Sequence, residues 1–263
     1  MSPSFAKIAP HYDALRPLSR GDRQRLERML STTSLRASDL VLEVGSGTGR
    51  LTLPIAAMTP ARVMGVDSEA RMLEVARAKD VLGRVIWQRG SAYRLPVGDG
   101  EAALVVMVMV VHLLRQRVRA FAEARRVCQP GGQLSVWTFT PRHVDEFYLN
   151  EYFPSIRVID QPRFPPVATL TAELRRAGFA QVDAEVQEER RTMGIAEVVD
   201  RVRGRYISTL SMLPPLEYRL GLQRLEERLA ADRSVTMSQR SEWAVLTARK
   251  TPPPRPSPQG GGR

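Results

Sequence analysis

Glu43-Val-Gly-Ser-Gly-Thr-Gly49 places an acidic side chain and three alternating glycines, Gly45, Gly47 and Gly49, at the end of the apolar run Leu40 to Val44. Glycine permits both a tight turn and close approach of backbone to a ligand. A small molecule can therefore lie directly against main chain here, with a carboxylate at hand for a cationic group. Two phosphate-binding loops are excluded. A phosphate-cradling P-loop needs Lys and then Ser or Thr after its last glycine, and this chain has Arg50-Leu51. The dinucleotide fingerprint needs glycine at position 50. A second carboxylate, Asp67, follows roughly 20 residues beyond the loop, the spacing at which an acidic group accepts hydrogen bonds from ribose hydroxyls. Other polar groups of interest are Tyr12, Ser68, Ser91 and His112.

These residues need elements to hold them. Leu40 to Val44 is predicted as a buried strand, followed by a helix that accommodates Pro54 in its first turn. Arg62 to Val66 forms a second strand ending in Asp67, and Ser68 or Asp67 caps the next helix. Arg84 to Gln88 and the very apolar Ala103 to Leu114 supply two more strands, the latter buried on both faces. A helix from about Gln116 to Val127 turns Val118, Phe121, Ala122 and Val127 towards the sheet. Pro130-Gly131-Gly132 then makes a tight turn into a fifth strand. Near the N-terminus a helix is expected from about Gly21 to Leu35, with Leu26, Met29 and Leu30 on one face. Leu170 to Ala177 is read as helix, Val182 to Glu188 as a half-exposed strand, and Ser241 to Arg249 as the last strand. A helical insertion of about 192–233, broken at Leu213-Pro214-Pro215, separates those two strands.

A chain of 263 residues can bury a full core as one domain, here 1–250 with an arm at 1–36. The Pro/Gly-rich 251–263 is expected to be a disordered tail. A single cysteine, Cys128, precludes an internal disulfide and fits a reducing compartment, the cytoplasm. Beside its turn it is read as a small buried apolar residue. The longest apolar stretch is too short to span a bilayer, which needs about 20 residues. The net charge of +11 invites a nucleic-acid partner. Against that, the arginines are spread from Arg16 to Arg263 without an aromatic-interleaved stripe. His11, His112 and His143 are too scattered to argue for a metal site.

The acidic residue followed by G-x-G-x-G resembles the first motif of the class I S-adenosylmethionine-dependent methyltransferases. Gly90-Ser-Ala-Tyr-Arg-Leu-Pro96, the strand closed by His112, and Gln129-Pro-Gly-Gly-Gln-Leu134 are similar to three later motifs in family order. The branch nearest in pattern contains ubiquinone- and menaquinone-biosynthesis methyltransferases. The resemblance implies a doubly wound α/β fold with a mostly parallel seven-stranded sheet, an antiparallel last strand and a helical insertion. It implies S-adenosylmethionine as cofactor, held by Glu43, Gly45, Ser46, Gly47, Thr48, Gly49, Asp67, Ser68, Met72, Ser91, Ala92 and Met109. Glu43 would help bind the ammonium, and Met72 would pack on the adenine or simply fill the helix core. Ser91 stands where the family has an Asp bonding the adenine amino group, and Ala102-Ala103 replace its Phe-Asp.

Tyr12 is similar to a lid tyrosine facing the methyl group, or else packs the arm on the core. His112 would act as general base or orient a hydroxyl, or else is a packed residue. Tyr148, Tyr152, Phe153, Tyr206 and Met212 are candidate lid residues over the acceptor. The implied reaction is methyl transfer to an O, N or C atom of a small molecule. Two other readings are an RNA or protein methyltransferase and a non-catalytic cofactor-binding regulator. A hydride-transferring NAD enzyme is disfavoured by Arg50.

Overall fold

Along β1 (Leu40–Val44), Leu40, Leu42 and Val44 enter one apolar core, while Val41 enters another on the opposite face. Side chains alternate across a strand, so a strand buried on both sides marks the middle of a layered sheet. The computed structural model describes residues 5–252, so the tail expected at 251–263 lies almost entirely outside the described residues.

Before β1 come α1 (Tyr12–Leu15) and α2 (Arg20–Ser31); after it come α3 (Thr52–Met58), β2 (Arg62–Asp67), α4 (Ala70–Lys79), β3 (Val85–Arg89) and β4 (Ala102–Val108). The chain continues through α5 (Arg117–Val127), β5 (Cys128–Phe139), α6 (Pro141–Asp145), α7 (Ser155–Asp160), α8 (Val167–Arg176) and β6 (Gln181–Gly194). It closes with α9 (Ile195–Arg203), α10 (Pro215–Ala231) and β7 (Thr236–Arg249). The sheet order is β3-β2-β1-β4-β5-β7-β6, with β1 to β5 parallel and β7 antiparallel to both its neighbours. This is the doubly wound, mostly parallel seven-stranded sheet expected from the sequence. Phe121 and Leu174, from α5 and α8, cover one face; Leu26 and Ile55, from α2 and α3, cover the other. Strand order reverses between β1 and β4, so a crevice opens at their carboxyl ends.

Several local expectations are corrected. β4 stops at Val108 rather than running to Leu114, because Met109 turns into the left-handed region at φ 54°. Its N–H donates to the Trp137 carbonyl and closes the ladder, and His112 falls on a short 3-10 turn, Val111–Leu113. α2 ends at Ser31, where the Thr32 and Thr33 hydroxyls both donate to the Met29 carbonyl. In α5 it is Ala120 and Ala124 that are buried, while Ala122 faces solvent. The residue preceding α4 is Glu69, and neither Ser68 nor Asp67 occupies the cap position.

The β6–β7 hairpin is longer than its expected strands, pairing continuously from Gln181↔Arg249 to Gly194↔Thr236. β5 accompanies β7 only as far as Phe139↔Trp243, so the distal half of the hairpin projects past the sheet. Its tip carries the helical segment expected at 192–233, here α9 and α10. Met193, Val198, Val199 and Leu225 pack there with Leu149, Tyr152 and Phe153 into a third apolar core. No helix among the described residues is long and apolar enough to cross a membrane.

Candidate active site

All three glycines of the loop after β1 have positive φ, but they face different surroundings. A Cβ on Gly45 would lie 2.3 Å from Val110, and one on Gly49 would strike the Trp87 ring at 2.5 Å. A Cβ on Gly47 would meet nothing within 4 Å. The outer glycines are thus required by packing, and the middle one borders open space. The Gly47 N–H donates to Asp67 Oδ2 at 2.8 Å, and the Glu69 N–H donates to Oδ1 at 2.8 Å. Each carboxylate oxygen keeps a second lone pair for a ligand hydroxyl. Burial raises the Asp67 carboxyl above its ordinary value, against the pull of those backbone donors.

Glu43 is 3 % exposed and accepts a hydrogen bond from the Thr52 hydroxyl. Burial pushes its carboxyl up to about 7, although Thr52 and the Arg50 charge act the other way. A buried carboxylate without a full counter-charge favours a cation as its neighbour.

Two chambers meet over this loop. The first, about 500 Å³, is lined by Glu43, Gly45, Ser46, Gly47, Asp67, Ser68, Met72, Ser91, Ala92 and Met109, so it gathers ten of the twelve residues expected around the cofactor. Its size falls in the usual range for a small-molecule cleft. Met72 is at once cleft lining and buried helix core. The Ser91 oxygen accepts from the Tyr93 N–H, a local turn that leaves the hydroxyl proton free. Thr48 and Gly49 are not in the lining: Gly49 backs onto Trp87, and the Thr48 hydroxyl donates to Asp13. Lys79 of α4 pairs with the same carboxylate, so Asp13 clasps the N-terminal arm onto the loop and sets the position of Tyr12.

The second chamber, about 180 Å³, lies against the distal hairpin. Tyr12, Arg16, Arg50, Phe5 and Met109 line both chambers and form the junction. His112 lines only the second, stacked on Phe164 with ring centroids 4.7 Å apart. Burial, then the charges of Arg163 and Arg16, hold it well below the usual imidazole range. Its ring is therefore neutral near pH 7. Of the candidate lid residues, Tyr148 and Tyr206 line this chamber and share a 2.8 Å hydroxyl–hydroxyl hydrogen bond. Tyr152 and Phe153 pack in the third core instead, and Met212 is 42 % exposed.

Sequence reasoning missed four residues here. His143 sits 3.7 Å, centroid to centroid, from Phe139, and burial pushes it down to about 3. Arg50 pairs at 2.7 Å with Asp22, which also closes the capping box of α2 with Ser19 and pairs with Arg25. Burial alone would raise the Asp22 carboxyl, but Arg50 and the other donors prevail and hold it low. Arg16 is the fourth. Only Arg50 carried a signal, as the residue that breaks the dinucleotide fingerprint. The others are brought in by long-range folding. Cys128 is fully buried, its thiol pushed up to about 12 by that burial, and it takes no part.

Comparisons with known proteins agree with this geometry. A methyltransferase-domain family profile matches residues 41–132, from β1 through Pro130-Gly131-Gly132, which lie within β5 rather than in the expected turn before it. The chain is 32 % identical over 166 residues to the ubiquinone/menaquinone biosynthesis C-methyltransferase UbiE of Citrifermentans bemidjiense, covering 58 % of this chain and 71 % of that protein. The UbiE of Paracoccus denitrificans is 28 % identical over 218 residues, 73 % of this chain and 86 % of that one. Among solved structures, the YcgJ protein of Bacillus subtilis superposes with a TM-score of 0.62 at 18 % identity, covering 87 % of this chain and 98 % of that chain. A Haemonchus contortus phosphoethanolamine N-methyltransferase 2 in complex with S-adenosyl-L-methionine gives 0.60 at 18 % identity, covering 92 % and 56 %. The chain belongs to the class I S-adenosylmethionine-dependent methyltransferases, in their UbiE-like branch. It is an enzyme that uses S-adenosylmethionine. The cleft suits that cofactor: two carboxylates face a ligand that bears an ammonium and a diol but no phosphate, and open space at Gly47 admits it.

Proposed function

We propose that this methyltransferase acts on a small-molecule acceptor held in the second chamber, with the methyl group crossing at the Tyr12–Met109 junction. The observation that carries the reading is the meeting of the two chambers at those residues. The relatives' printed role, C-methylation in ubiquinone and menaquinone biosynthesis, supports an acceptor built on a ring. The atom methylated is O, N or C.

When bound, S-adenosylmethionine supplies an electrophilic methyl on a sulfonium, which leaves as a neutral thioether once an acceptor lone pair or carbanion forms the new bond. Little acid–base help is needed for such a displacement, and the protein's share is alignment in a water-poor site. Glu43 holds the ammonium, Asp67 the ribose hydroxyls, and Met72 with Ser91 and Ala92 the adenine. Gly45 and Gly47 bring main chain up to the ligand. Ser46 and Ser68 line the same wall, while Thr48 and Gly49 support the loop from behind. Tyr12, fixed through Asp13, closes the junction. His112, kept neutral, orients an acceptor group rather than carrying charge. The described part of the arm, 5–36, and the segment at 192–233 act as a lid over the rest of the domain, with Tyr206 on its inner surface and Tyr148, from the segment after β5, bonded to it. The sole cysteine, buried and without a disulfide partner, supports a cytoplasmic setting.

Calorimetric titration with S-adenosylmethionine and, separately, NAD is the first test. The expected result is micromolar binding of the first alone, then methylated product by mass spectrometry from a panel of ring-bearing small molecules. Turnover restricted to RNA or protein acceptors, or binding without any turnover, would contradict the proposal.

A further inference from the structure

Resting on the proposed acceptor chamber, one feature of its wall specifies what it takes. Four aromatic contacts run in sequence along it. His112 stacks on Phe164, Phe164 lies 6.2 Å from Phe139, and Phe139 touches His143 at 3.7 Å and Trp243 at 4.2 Å. Flat surfaces of this kind favour a flat ligand, since offset and edge contacts between rings add to apolar burial. Size sets a limit too. A dry cavity of ~150 Å³ holds one benzene, so a chamber of about 180 Å³ takes a single substituted ring.

The wall is also polar at chosen points. His112 Nδ1, His143 Nδ1, Trp243 Nε1 and Arg201 Nε are buried there without hydrogen-bond partners. Buried polar atoms are normally paired, so four orphans on residues that line one chamber point to a ligand whose polar groups satisfy some of them. His143 is only 6 % exposed, its ring stacked on Phe139 and its Nδ1 without a partner. A neutral imidazole carries one acceptor nitrogen, and the unpaired Nδ1 is the one open to a ligand hydroxyl.

Charge completes the picture. The other charged residues of the lining are paired: Asp22 with Arg50, Glu189 with Arg25, Asp160 with Arg163, and Arg191 and Arg201 with Glu197. Arg16 is not. Among the described residues its guanidinium meets only the Tyr12 ring, 5.8 Å from the centroid. Its field reaches His112, His143 and Tyr206, all of the acceptor chamber. A half-buried guanidinium without a carboxylate is a ready anion anchor.

We propose that the acceptor is a single-ring aromatic hydroxy acid, its ring against Phe139 and Phe164, its carboxylate on Arg16 and its hydroxyl donating to His143 Nδ1. The test uses protein saturated with S-adenosylhomocysteine and calorimetry with 4-hydroxybenzoate, 4-hydroxybenzamide and benzoate as probes. The acid should bind at least ten-fold more tightly than the amide, roughly the worth of one charge-assisted hydrogen bond. Arg16→Gln should bring the acid down to the amide's level, Arg16→Lys should restore part of the difference, and both should keep the S-adenosylhomocysteine affinity of the parent. His143→Phe should erase the preference for 4-hydroxybenzoate over benzoate. Equal binding of acid and amide, or binding of neither by protein that still takes S-adenosylhomocysteine, overturns this proposal and leaves the methyltransferase reading standing. Loss of S-adenosylhomocysteine affinity in Arg16→Gln also overturns it, assigning Arg16 to the cofactor's own carboxylate. Failure of the parent protein to bind S-adenosylhomocysteine would instead bring down the reading on which it rests.

Discussion

Glu43 shows how one buried carboxylate ties ligand binding to pH. Its folded value of about 7 lies above the ordinary 4.5, because burial penalises the charged form. The stability linked to the protonated form is fully present below about 4.5 and is lost as pH rises through 7, a difference of about 3 kcal/mol. An ammonium placed beside it favours the ionised form and draws the proton off. Affinity for S-adenosylhomocysteine should therefore rise from pH 5.5 to about 8 and then level off. Glu43→Gln should flatten that profile while weakening binding overall, as read by titration at each pH. The glycines give a second prediction at this scale. Gly45→Ala forces a left-handed alanine, about 1–2 kcal/mol, and a clash with Val110 worth roughly 1–3 more. Gly47→Ala carries only the first cost, since its Cβ enters open space. Denaturant unfolding should find the Gly45 variant much the less stable, whereas the Gly47 variant should fold well and lose cofactor affinity.

At the scale of elements, the sequence was most legible where signals are local. β1, β2 and the glycine loop fall where the apolar runs and turn residues place them. Legibility ended where tertiary contacts decide. Nothing local says that β4 stops at Val108: Val110 and Val111 prolong the apolar run, yet the turn at Met109 ends the strand. The distal hairpin was shortened in the same way, because Glu189, Arg190 and Arg191 lack apolar alternation and are held by pairing with β7. The site's second half was hidden for that reason, with His143, Arg50 and Asp22 arriving from separate elements. Asp22 is the point where α2, the glycine loop and the hairpin meet, through Arg50 and through Arg25 to Glu189. Asp22→Ala leaves Arg50 and the 5 %-exposed Arg25 side chain short of a counter-charge and removes the capping box. It should lower unfolding free energy by about 3–5 kcal/mol. Ser19→Ala, which removes only the cap, should cost about 1 kcal/mol.

Across the whole molecule, many arginines are held in ion pairs such as Arg117 with Glu173 and Arg126 with Asp99 and Glu123, while the net charge of +11 is the excess of bases that no acid can match. What the molecule presents instead is three apolar cores, two clamping the sheet and one inside the hairpin cap, with the chambers lying between. A ligand at that junction touches the arm, the glycine loop and the α4 end of the sheet together, so its binding free energy adds to the stability of the folded chain. At one hundred times its dissociation constant a ligand that binds only the folded state adds about 2.7 kcal/mol. For a chain of this size each kcal/mol moves the midpoint by roughly 2–4 °C. S-adenosylhomocysteine should accordingly raise the thermal midpoint by about 5–10 °C in a single shifted transition, while NAD at equal concentration leaves it in place, because Arg50 occupies the fingerprint's third glycine position. Asp67→Ala should abolish most of that shift with little change in the unliganded midpoint, since its carboxylate caps only two backbone donors. A full shift in that variant would place the ribose elsewhere and remove Asp67 from the site.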